Sequence, residues 1–356
     1  MLFLILLIVF LISLSSYQWI DPALFLMLKT AHPTLIPQFI NGNSHLLQSF
    51  PFFILISIWT FAQIWLLFHP KTITRKTALI IFLITLLAIM AYPFLSHDIF
   101  TYIFSGKMAW CYHTNPYATL PQAFFQKDLW IGFTHWIDVK YAYGPVMLLK
   151  DVFPFVILGC HKFISLFYLF KLINGLLFLA TGYLLWLKNK RSPLVLSYWF
   201  LNPLLILEIL INNHNDILMI FLFVLSVYFF ETKKNKIVGG LLALASVLTK
   251  QVSLIFLPAL LLHGKTRISF IKISLAALFL FLGFRTISMP WYYTWVFLAI
   301  PFFQFKKRSW TILFLFNLYW LLNTYWNFLN SGLWGESWWN HFWLLKIILP
   351  LTAIFL

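Results

Sequence analysis

A single carboxylate at the end of an apolar run is the strongest candidate for chemistry in this sequence. Asp98 follows the third apolar run and is the first acid of a long polar connection, about 96–143. A carboxylate at the exit of a membrane helix is partly desolvated, and partial desolvation makes it a better general base. The alternative is structural, because aspartate is a preferred N-cap residue and Asp98 could cap a helix that starts at Ile99.

A second polar group separates two apolar runs at 212–216, where the sequence is Asn-Asn-His-Asn-Asp. Asn and Asp favour tight turns, so this segment could be a plain turn. The same side chains can bind sugar hydroxyls or a phosphate, and Glu208 precedes them by about one helical turn. Ionisable groups at membrane depth are costly and are usually functional. The residues leave both interpretations open.

Two cations, Lys250 and Arg285, lie away from the basic clusters of the chain. Lysine and arginine near a helix end often snorkel to the lipid headgroups. A lipid-phosphate leaving group would also need such cations to stabilise its developing charge. Trp291 and Tyr292 follow Arg285 and could either belong to an interfacial aromatic belt or stack on a sugar ring.

The composition sets the environment in which these residues work. Of 356 residues, 62% are hydrophobic and 10% are charged, and the mean hydropathy is +0.88. Soluble domains carry about 25% charged residues, so a soluble enzyme, a disordered chain and a coiled coil are excluded. A spanning helix needs about 20 apolar residues, so the length predicts an all-α polytopic membrane protein with about 12 transmembrane helices.

The positions of the basic residues predict the topology. Candidate spans lie at about 2–19, 50–69, 76–95, 163–187, 193–211, 217–231, 237–249, 251–263, 268–286, 291–305, 309–328 and 341–356. Short basic clusters lie at 71–76, 188–191, 233–236, 265–267 and 306–308. By the positive-inside rule these clusters are cytoplasmic, which places both termini inside. Segment 144–160 contains Lys150, Asp151 and Pro154 and is predicted to be a re-entrant or surface helix on the outer side.

This topology predicts an outward-facing working surface. Eight of the nine acids, all except Glu231, lie outside or near the outer helix ends, and the long connections 20–49 and 96–143 form the catalytic face. Thr249, Lys250 and Gln251 lie where two short spans meet, and non-helical backbone at that depth lines a wet cavity or is buried in protein.

The remaining residue classes exclude several partners. The net charge of +16 would suggest nucleic acid in a soluble protein, but these cations lie in short loops between apolar runs, so no nucleic-acid partner is predicted. Cys111 and Cys160 have no metal-ligand spacing and are too few for a disulfide scaffold. The sequence predicts no cofactor and leaves a divalent-metal requirement open.

Four motifs together resemble the GT-C superfamily of polytopic glycosyltransferases, and more narrowly the mannosyltransferases that use polyprenyl-phosphate mannose. They are Asp98-x-x-x-Tyr102 with Gly106 and Asn115-Pro116-Tyr117, then Tyr141-x-Tyr143-Gly144-Pro145, then Asn202-Pro203 before His214-Asn215-Asp216, and Thr249-Lys250-Gln251 with Pro258. The resemblance covers about residues 90–300. Many relatives carry an acidic pair in the first loop, whereas here the neighbour of Asp98 is His97, which argues against an Asp-x-Asp metal site.

The resemblance implies one GT-C-like domain over 1–356, with Asp98 as general base and a lipid-linked hexose donor. Direct displacement inverts the anomeric centre, so a β-linked donor would give an α-linked product. A glycolipid or glycan is the expected acceptor, and membrane lipids surround the chain. The predicted set is Asp98 as base; Lys250, Arg285, His97 and His214 as phosphate ligands; and Tyr102, Asn115, Tyr117, Tyr143, Glu208, Asn215, Asp216, Gln251, Trp291 and Tyr292 as sugar or substrate ligands.

Three alternatives stay open at this point. A multi-span transporter or flippase of a lipid-linked or sugar substrate would use intramembrane acids as substrate or proton sites, although such proteins usually show duplicated halves and none is found here. The same site could take a glucosyl, galactosyl or arabinosyl donor. A non-catalytic scaffold is disfavoured by the clustered polar loops. The short loops favour a bacterial plasma membrane, with the active site extracytoplasmic.

Overall fold

The chain folds as a set of helices. The structure is a computed structural model that describes residues 1–17, 45–70, 74–284, 289–302, 305–331 and 343–356. No strand is found in these ranges. The predicted outer connection 20–49 lies almost wholly outside the described residues. The second connection, 96–143, is described throughout.

The helices of the first half carry the outer segments of the site. They are α1 (Leu2–Ser16), α2 (His45–Phe68), α3 (Arg75–Met90), α4 (Asp98–Trp110), α5 (Pro145–Leu158) and α6 (Phe163–Lys188). Pro145 stands in the first turn of α5, where its missing N–H costs nothing. The predicted re-entrant or surface segment 144–160 is thus one helix, although the structure contains no membrane to fix its depth.

The second half has shorter and more irregular elements. The helices are α7 (Pro203–Ile211), α8 (Asp216–Thr232), α9 (Lys236–Val247), α10 (Gly264–Phe284), α11 (Lys307–Ser331) and α12 (Trp343–Phe355). Two 3-10 helices cover Gln251–Leu260 and Pro290–Leu298. The last turns of α7 and α8 are wide π-helical turns, which occur often at functional sites.

The predicted count of about 12 spans is not confirmed. Among the described residues three helices are long and apolar enough to cross a membrane, Phe50–Phe68, Phe163–Lys188 and Gly264–Phe284. Helices α7 and α8 would add a fourth span if they count as one broken span, with a bend of 115° between them. Four further apolar helical segments have only 10–17 residues and are too short to count as spans: Leu2–Ser16, Lys236–Val247, Gln251–Leu260 and Lys346–Phe355.

The predicted interruption near residue 250 is confirmed. Helix α9 ends at Val247, and the next helical segment begins at Gln251. Lys250 between them has extended backbone, with φ −155° and ψ 124°. The break turns the side chain of Lys250 out of the helical repeat.

A buried lysine joins three elements near the centre of the bundle. Lys171 of α6 is fully buried, and its Nζ donates to the carbonyl oxygens of Ala91 at 2.6 Å and Ile211 at 2.8 Å. These carbonyls lie at the ends of α3 and α7, where helices leave acceptors without a partner. Lys171 therefore fixes the end of α7, directly before the polar turn 212–215.

One covalent link closes the outer region. Cys111, directly after α4, forms a disulfide with Cys160, which lies between α5 and α6. Two cysteines are too few for a scaffold, but this bridge fixes the end of the helix that begins at Asp98. The sequence analysis did not predict the bridge.

Candidate active site

Asp98 is the first residue of α4 and its carboxylate points away from the helix backbone. The N-cap position is His97, which makes no side-chain cap bond, so the interpretation of Asp98 as a capping residue is wrong. Asp98 Oδ1 instead accepts from Trp136 Nε1 at 2.9 Å, and Oδ2 accepts from the Tyr102 hydroxyl at 3.4 Å. The Asp98 side chain is 12% exposed, so it is largely buried but keeps some access to solvent.

The imidazole of His214 lies between two carboxylates. Its Nδ1 is 3.5 Å from Asp98 Oδ2, and its Nε2 is 3.3 Å from Glu208 Oε2. The ring stacks on Trp291 with centroids 4.0 Å apart. His214 is 1% exposed, so it contacts the acids and Trp291 rather than solvent.

Glu208 is the last member of the row Asp98–His214–Glu208 and the more deeply buried of its two carboxylates. Its carboxylate accepts hydrogen bonds from the Tyr325 hydroxyl and from Asn212 Nδ2. The wide last turn of α7 places Glu208 below the polar turn, and the backbone N–H of His214 donates to the Glu208 carbonyl at 2.9 Å. Glu208 is fully buried and has polar partners on both sides.

A third carboxylate, Asp216, begins α8. Asp216 Oδ1 accepts from Lys250 Nζ at 2.7 Å and from Trp295 Nε1 at 2.5 Å. Asp98 and Asp216 each stand in the first turn of a helix, where the helix dipole stabilises negative charge. In the pair with Lys250 the carboxylate is 2% exposed and the ammonium side chain 18%, so the cation is the accessible member.

A further cation, Lys150 of α5, was not among the predicted site residues. Its Nζ donates to Asn215 Oδ1 at 2.5 Å and lies 3.8 Å from Asp151 Oδ1. Burial lowers the pKa of Lys150 to about 8 and raises the pKa of Asp151 to about 7. Asp151 also accepts from the Tyr141 hydroxyl at 2.6 Å. A lysine on the predicted outer side, where cations are disfavoured, is the signal that could have identified it.

Two tyrosines connect the carboxylate and cation ends of the site. The hydroxyls of Tyr102 and Tyr143 lie 3.4 Å apart, and their rings meet edge to face. Tyr102 reaches Asp98, while the ring centroid of Tyr143 is 5.4 Å from Lys250 Nζ. Tyr292 is also near this ammonium, at 6.0 Å.

The Asn-Pro-Tyr motif lies at the edge of this group. The side chain of Asn115 accepts from the backbone N–H of Tyr117 at 3.0 Å, so it shapes a turn. The ring of Tyr117 packs against Tyr141 at 5.4 Å between centroids, and the Tyr141 N–H donates to the Pro116 carbonyl at 3.0 Å. The motif therefore supports the loop that carries Tyr143.

The structure brings together most, but not all, of the predicted residues. One connected group is formed by Asp98, Tyr102, Tyr143, Glu208, His214, Asp216, Lys250, Trp291 and Tyr292, and Asn215 joins it through Lys150. His97 stacks on His135 at 4.4 Å, outside that group. Gln251 is exposed at the start of its 3-10 helix. Arg285 lies outside the described residues.

Four further side chains complete the site, and of these only Asn212, in the polar turn, had a sequence signal. Trp136, Asn212, Trp295 and Tyr325 each donate to one of the three carboxylates. Tryptophan and tyrosine are so frequent in this chain that the three aromatic positions did not stand out. Within the described ranges no three His, Cys, Asp or Glu side chains are arranged to hold a metal ion.

The comparisons with known proteins give the family. The alpha-(1->6)-mannopyranosyltransferase N-terminal domain family matches residues 29–264. The chain belongs to this family. The match includes all three carboxylates of the site and Lys250, and it decides for a glycosyltransferase over a transporter or flippase. No curated protein and no solved structure matches the chain.

Membership of a mannopyranosyltransferase family gives the arrangement a chemical meaning. Glycosyl transfer needs a base for the acceptor hydroxyl and charge neutralisation for the leaving group. The group contains a partly exposed carboxylate at one end and a partly exposed ammonium at the other. A side chain of the type that serves as a base and a side chain of the type that neutralises an anion are therefore close together in this apolar, helical protein.

Proposed function

We propose that this chain transfers a mannosyl residue from a polyprenyl-phosphate donor to a hydroxyl group of a glycolipid or glycan, with Asp98 as general base. The connection from the Asp98 carboxylate through the Tyr102–Tyr143 pair to the Lys250 ammonium carries the proposal. It joins a proton acceptor to a phosphate-binding cation across two rings that can pack on a sugar. The alpha-(1->6) linkage in the family description supports a 6-hydroxyl of a sugar as the acceptor group.

The chemical step is a direct displacement. The acceptor oxygen forms a bond to the anomeric carbon as Asp98 takes the hydroxyl proton. The bond between the anomeric carbon and the phosphate oxygen breaks, and the lipid phosphate leaves with the electron pair. Because this phosphate is a good leaving group, it needs cations rather than a proton donor. Inversion of a β-linked donor gives the α-linkage of the family.

His214 contacts the Asp98 carboxylate, and Glu208 contacts the other side of the His214 ring. The contacts of 3.5 Å and 3.3 Å on the two imidazole nitrogens form a row that leads from Asp98 into the protein. A proton taken up by Asp98 can be shared with His214 and stabilised by the charge of Glu208. His214 was predicted to hold the donor phosphate, but two carboxylates beside it oppose an anion. We therefore assign it a positioning role.

Lys250 and Lys150 are the proposed cations for the donor phosphate. Lys250 is the more exposed member of its ion pair, and Lys150 supports Asn215 from the α5 side. Asn215 and Asp216 remain the proposed sugar ligands, together with Trp291 and Tyr292. Arg285 stays a proposed phosphate ligand from the sequence.

The disulfide supports an extracytoplasmic site. Disulfides persist in oxidising compartments, and the bridge joins the end of the helix that starts at Asp98 to the segment before α6. The basic clusters lie at the other ends of the helices. This arrangement suits a lipid-linked donor presented at the outer leaflet better than a cytosolic nucleotide sugar.

A donor comparison with a matched pair of variants tests the proposal. Purified protein is assayed with polyprenyl-phosphate mannose and with a nucleotide-linked mannose, using a mannoside acceptor. We expect transfer only from the lipid-linked donor, and a loss of about 10²–10⁴-fold for Asp98→Asn. Asp138→Asn changes an exposed acid of the same outer connection and is expected to keep the wild-type rate. Full activity of Asp98→Asn, or efficient use of the nucleotide sugar, would overturn the proposal.

A further inference from the structure

A basic cavity lies at the end of the bundle opposite Asp98. It has a volume of about 490 Å³ and is lined by Leu187, Lys188, Lys190, Arg191, Tyr228 and Thr232. Helix α8 begins at Asp216 in the candidate active site and ends at Thr232 in this cavity. At 1.5 Å per residue, that helix separates the two places by about 25 Å. The cavity is therefore a separate site.

The charges of the cavity are only partly neutralised. Glu231, next in sequence to the lining residue Thr232, accepts from Lys188 of the cavity and from Arg267, which is not a lining residue, so one carboxylate is shared by two cations. None of the carboxylates in the described part of the chain pairs with Lys190 or Arg191, and both cations are exposed. The cavity thus keeps a local positive charge and offers the hydroxyls of Tyr228 and Thr232 as donors.

The backbone beside the cavity is strained. Lys190 and Arg191 have φ of 51° and 59°, the left-handed region that non-glycine residues rarely adopt. The turn is held by a hydrogen bond from the Arg191 N–H to the Trp186 carbonyl at 2.8 Å. A glycine or asparagine would fit such a turn at lower cost. Such strain is often retained where the side chains have a function.

Of the three cations that line the cavity, only Lys188 has a clear structural role. Lys188 stands in the last turn of α6, where a positive charge stabilises the helix carbonyls. Lys190 and Arg191 lie beyond the helix end, where the dipole effect has fallen off. Positive-inside statistics explain basic residues in such a loop but do not explain why they line a cavity.

The depth of the cavity indicates its ligand. Tyr183 and Trp186 lie in the last turns of α6, and such aromatic residues mark the level of the lipid headgroups. Anionic headgroups bind in basic pockets between helices on the cytoplasmic side. Arginine with lysine and hydroxyl donors suits a phosphate oxygen set. We propose that this cavity binds the phosphate of an anionic lipid headgroup.

Lipid binding in a neutral detergent tests this site. Phosphatidylglycerol is titrated into the purified full chain and the bound lipid is measured by native mass spectrometry. The variant K190Q/R191Q removes the two cations that no carboxylate of the described residues neutralises, and we expect its affinity for the lipid to fall on the order of tenfold. The control K306Q/R308Q removes one lysine and one arginine, also exposed, from another basic cluster. It is expected to bind within about twofold of wild type, since the loss is local.

Two further measurements distinguish a lipid phosphate from a soluble phosphate and distinguish a lost site from a misfolded variant. Inorganic phosphate is titrated in parallel. Phosphate binding that is lost in K190Q/R191Q while lipid binding is kept would assign the site to a soluble phosphate and overturn the lipid. A second variant, Y228F/T232V, keeps the cations and removes the hydroxyl donors, and a severalfold weaker binding of phosphatidylglycerol is expected. Equal binding of both probes by wild type, both cavity variants and the control would overturn the site.

Discussion

Gly144 lies against the main chain of Leu248 with no room for a side chain. A Cβ atom on Gly144 would lie 1.9 Å from the Leu248 carbonyl oxygen. The Gly144 N–H donates to the Thr249 carbonyl at 3.1 Å. This contact joins the loop that carries Tyr143 to the segment that carries Lys250. The backbone contact between Gly144 and Leu248–Thr249 therefore fixes the positions of Tyr143 and Lys250 relative to each other.

Replacement of Gly144 by alanine should impair both folding and transfer. The added carbon must push the two segments apart, and a shift of about 1 Å in a positioning group costs about 10²-fold in rate. We expect Gly144→Ala to lower the transfer rate at least tenfold and to lower the midpoint of thermal unfolding in detergent.

Gly240→Ala is the matched control for this prediction. A Cβ on Gly240 in α9 would meet nothing within 4 Å, and alanine favours a helix over glycine. This variant should unfold at the same temperature as wild type or slightly higher. Wild-type activity and stability in Gly144→Ala would contradict the contact.

Neutralising Glu208 should slow the chemical step and leave donor binding almost unchanged. Glutamine keeps the acceptor oxygen for Tyr325 but removes the charge beside His214. We expect Glu208→Gln to lower kcat about tenfold or more, with KM for the donor within about twofold, because the effect arises only when Asp98 takes up a proton. Steady-state assays with polyprenyl-phosphate mannose measure both constants. A raised KM at constant kcat would assign Glu208 to substrate binding instead.

The contribution of the Lys250–Asp216 ion pair to stability can be measured separately from its contribution to transfer. Removing one member of a buried ion pair leaves the other uncompensated, at a cost of about 3 kcal/mol. Lys250→Gln alone should therefore unfold several degrees below wild type. The double variant K250Q/D216N should recover most of that stability, because no isolated charge remains. Thermal unfolding in detergent measures both.

Transfer activity should follow a different order from stability in these variants. If Lys250 holds the donor phosphate, the double variant stays slow although it is stable, with a raised KM for the donor. A stable double variant that transfers at the wild-type rate would remove Lys250 from the proposed phosphate site and leave it a structural residue.

The stability of the outer region should fall as pH rises toward neutrality. Burial raises the pKa of Asp151 from 3.8 to about 7. A raised carboxyl pKa in the folded state gives stability that is fully present below pH 3.8 and is lost as the pH rises through about 7. Asp151→Asn keeps an acceptor for Tyr141 but cannot titrate. Unfolding midpoints at about pH 5 and pH 7.5 should therefore fall more in wild type than in the variant.

Between about pH 5 and pH 7.5 the titration of the neighbouring Lys150 contributes little. The pKa of Lys150 is lowered to about 8, so its own contribution changes mainly above the window. Parallel pH dependence in wild type and Asp151→Asn would mean that Asp151 is not the titrating group.

The sequence predicts the site best where residue type and topology agree. The polar turn 212–215 lies between two apolar helices as predicted, and the interruption at Lys250 is present. Asp98 and Lys250 are brought into one group, as the motif order suggested. These features depend on local polarity in an apolar chain, which a sequence displays directly.

Contacts between distant segments could not be predicted in this way. The approach of His214 to Glu208 depends on a wide π-turn, for which the sequence carries no signal. Lys150 reaches Asn215 only because α5 packs against α4 and α6, and its role in a surface helix was unassigned. The predicted number of spans is not confirmed among the described residues, because apolar composition does not distinguish one long helix from two short helices with a break.

The bridge between Cys111 and Cys160 turns the intervening chain into a closed ring. A peptidase that cuts once within residues 112–159 opens a peptide bond but cannot release either fragment while the sulfurs stay joined. Helix α4, which begins at Asp98, would stay covalently linked to the segment before α6 after such a cleavage. On a denaturing gel the nicked chain would run as one species until a thiol reagent is added.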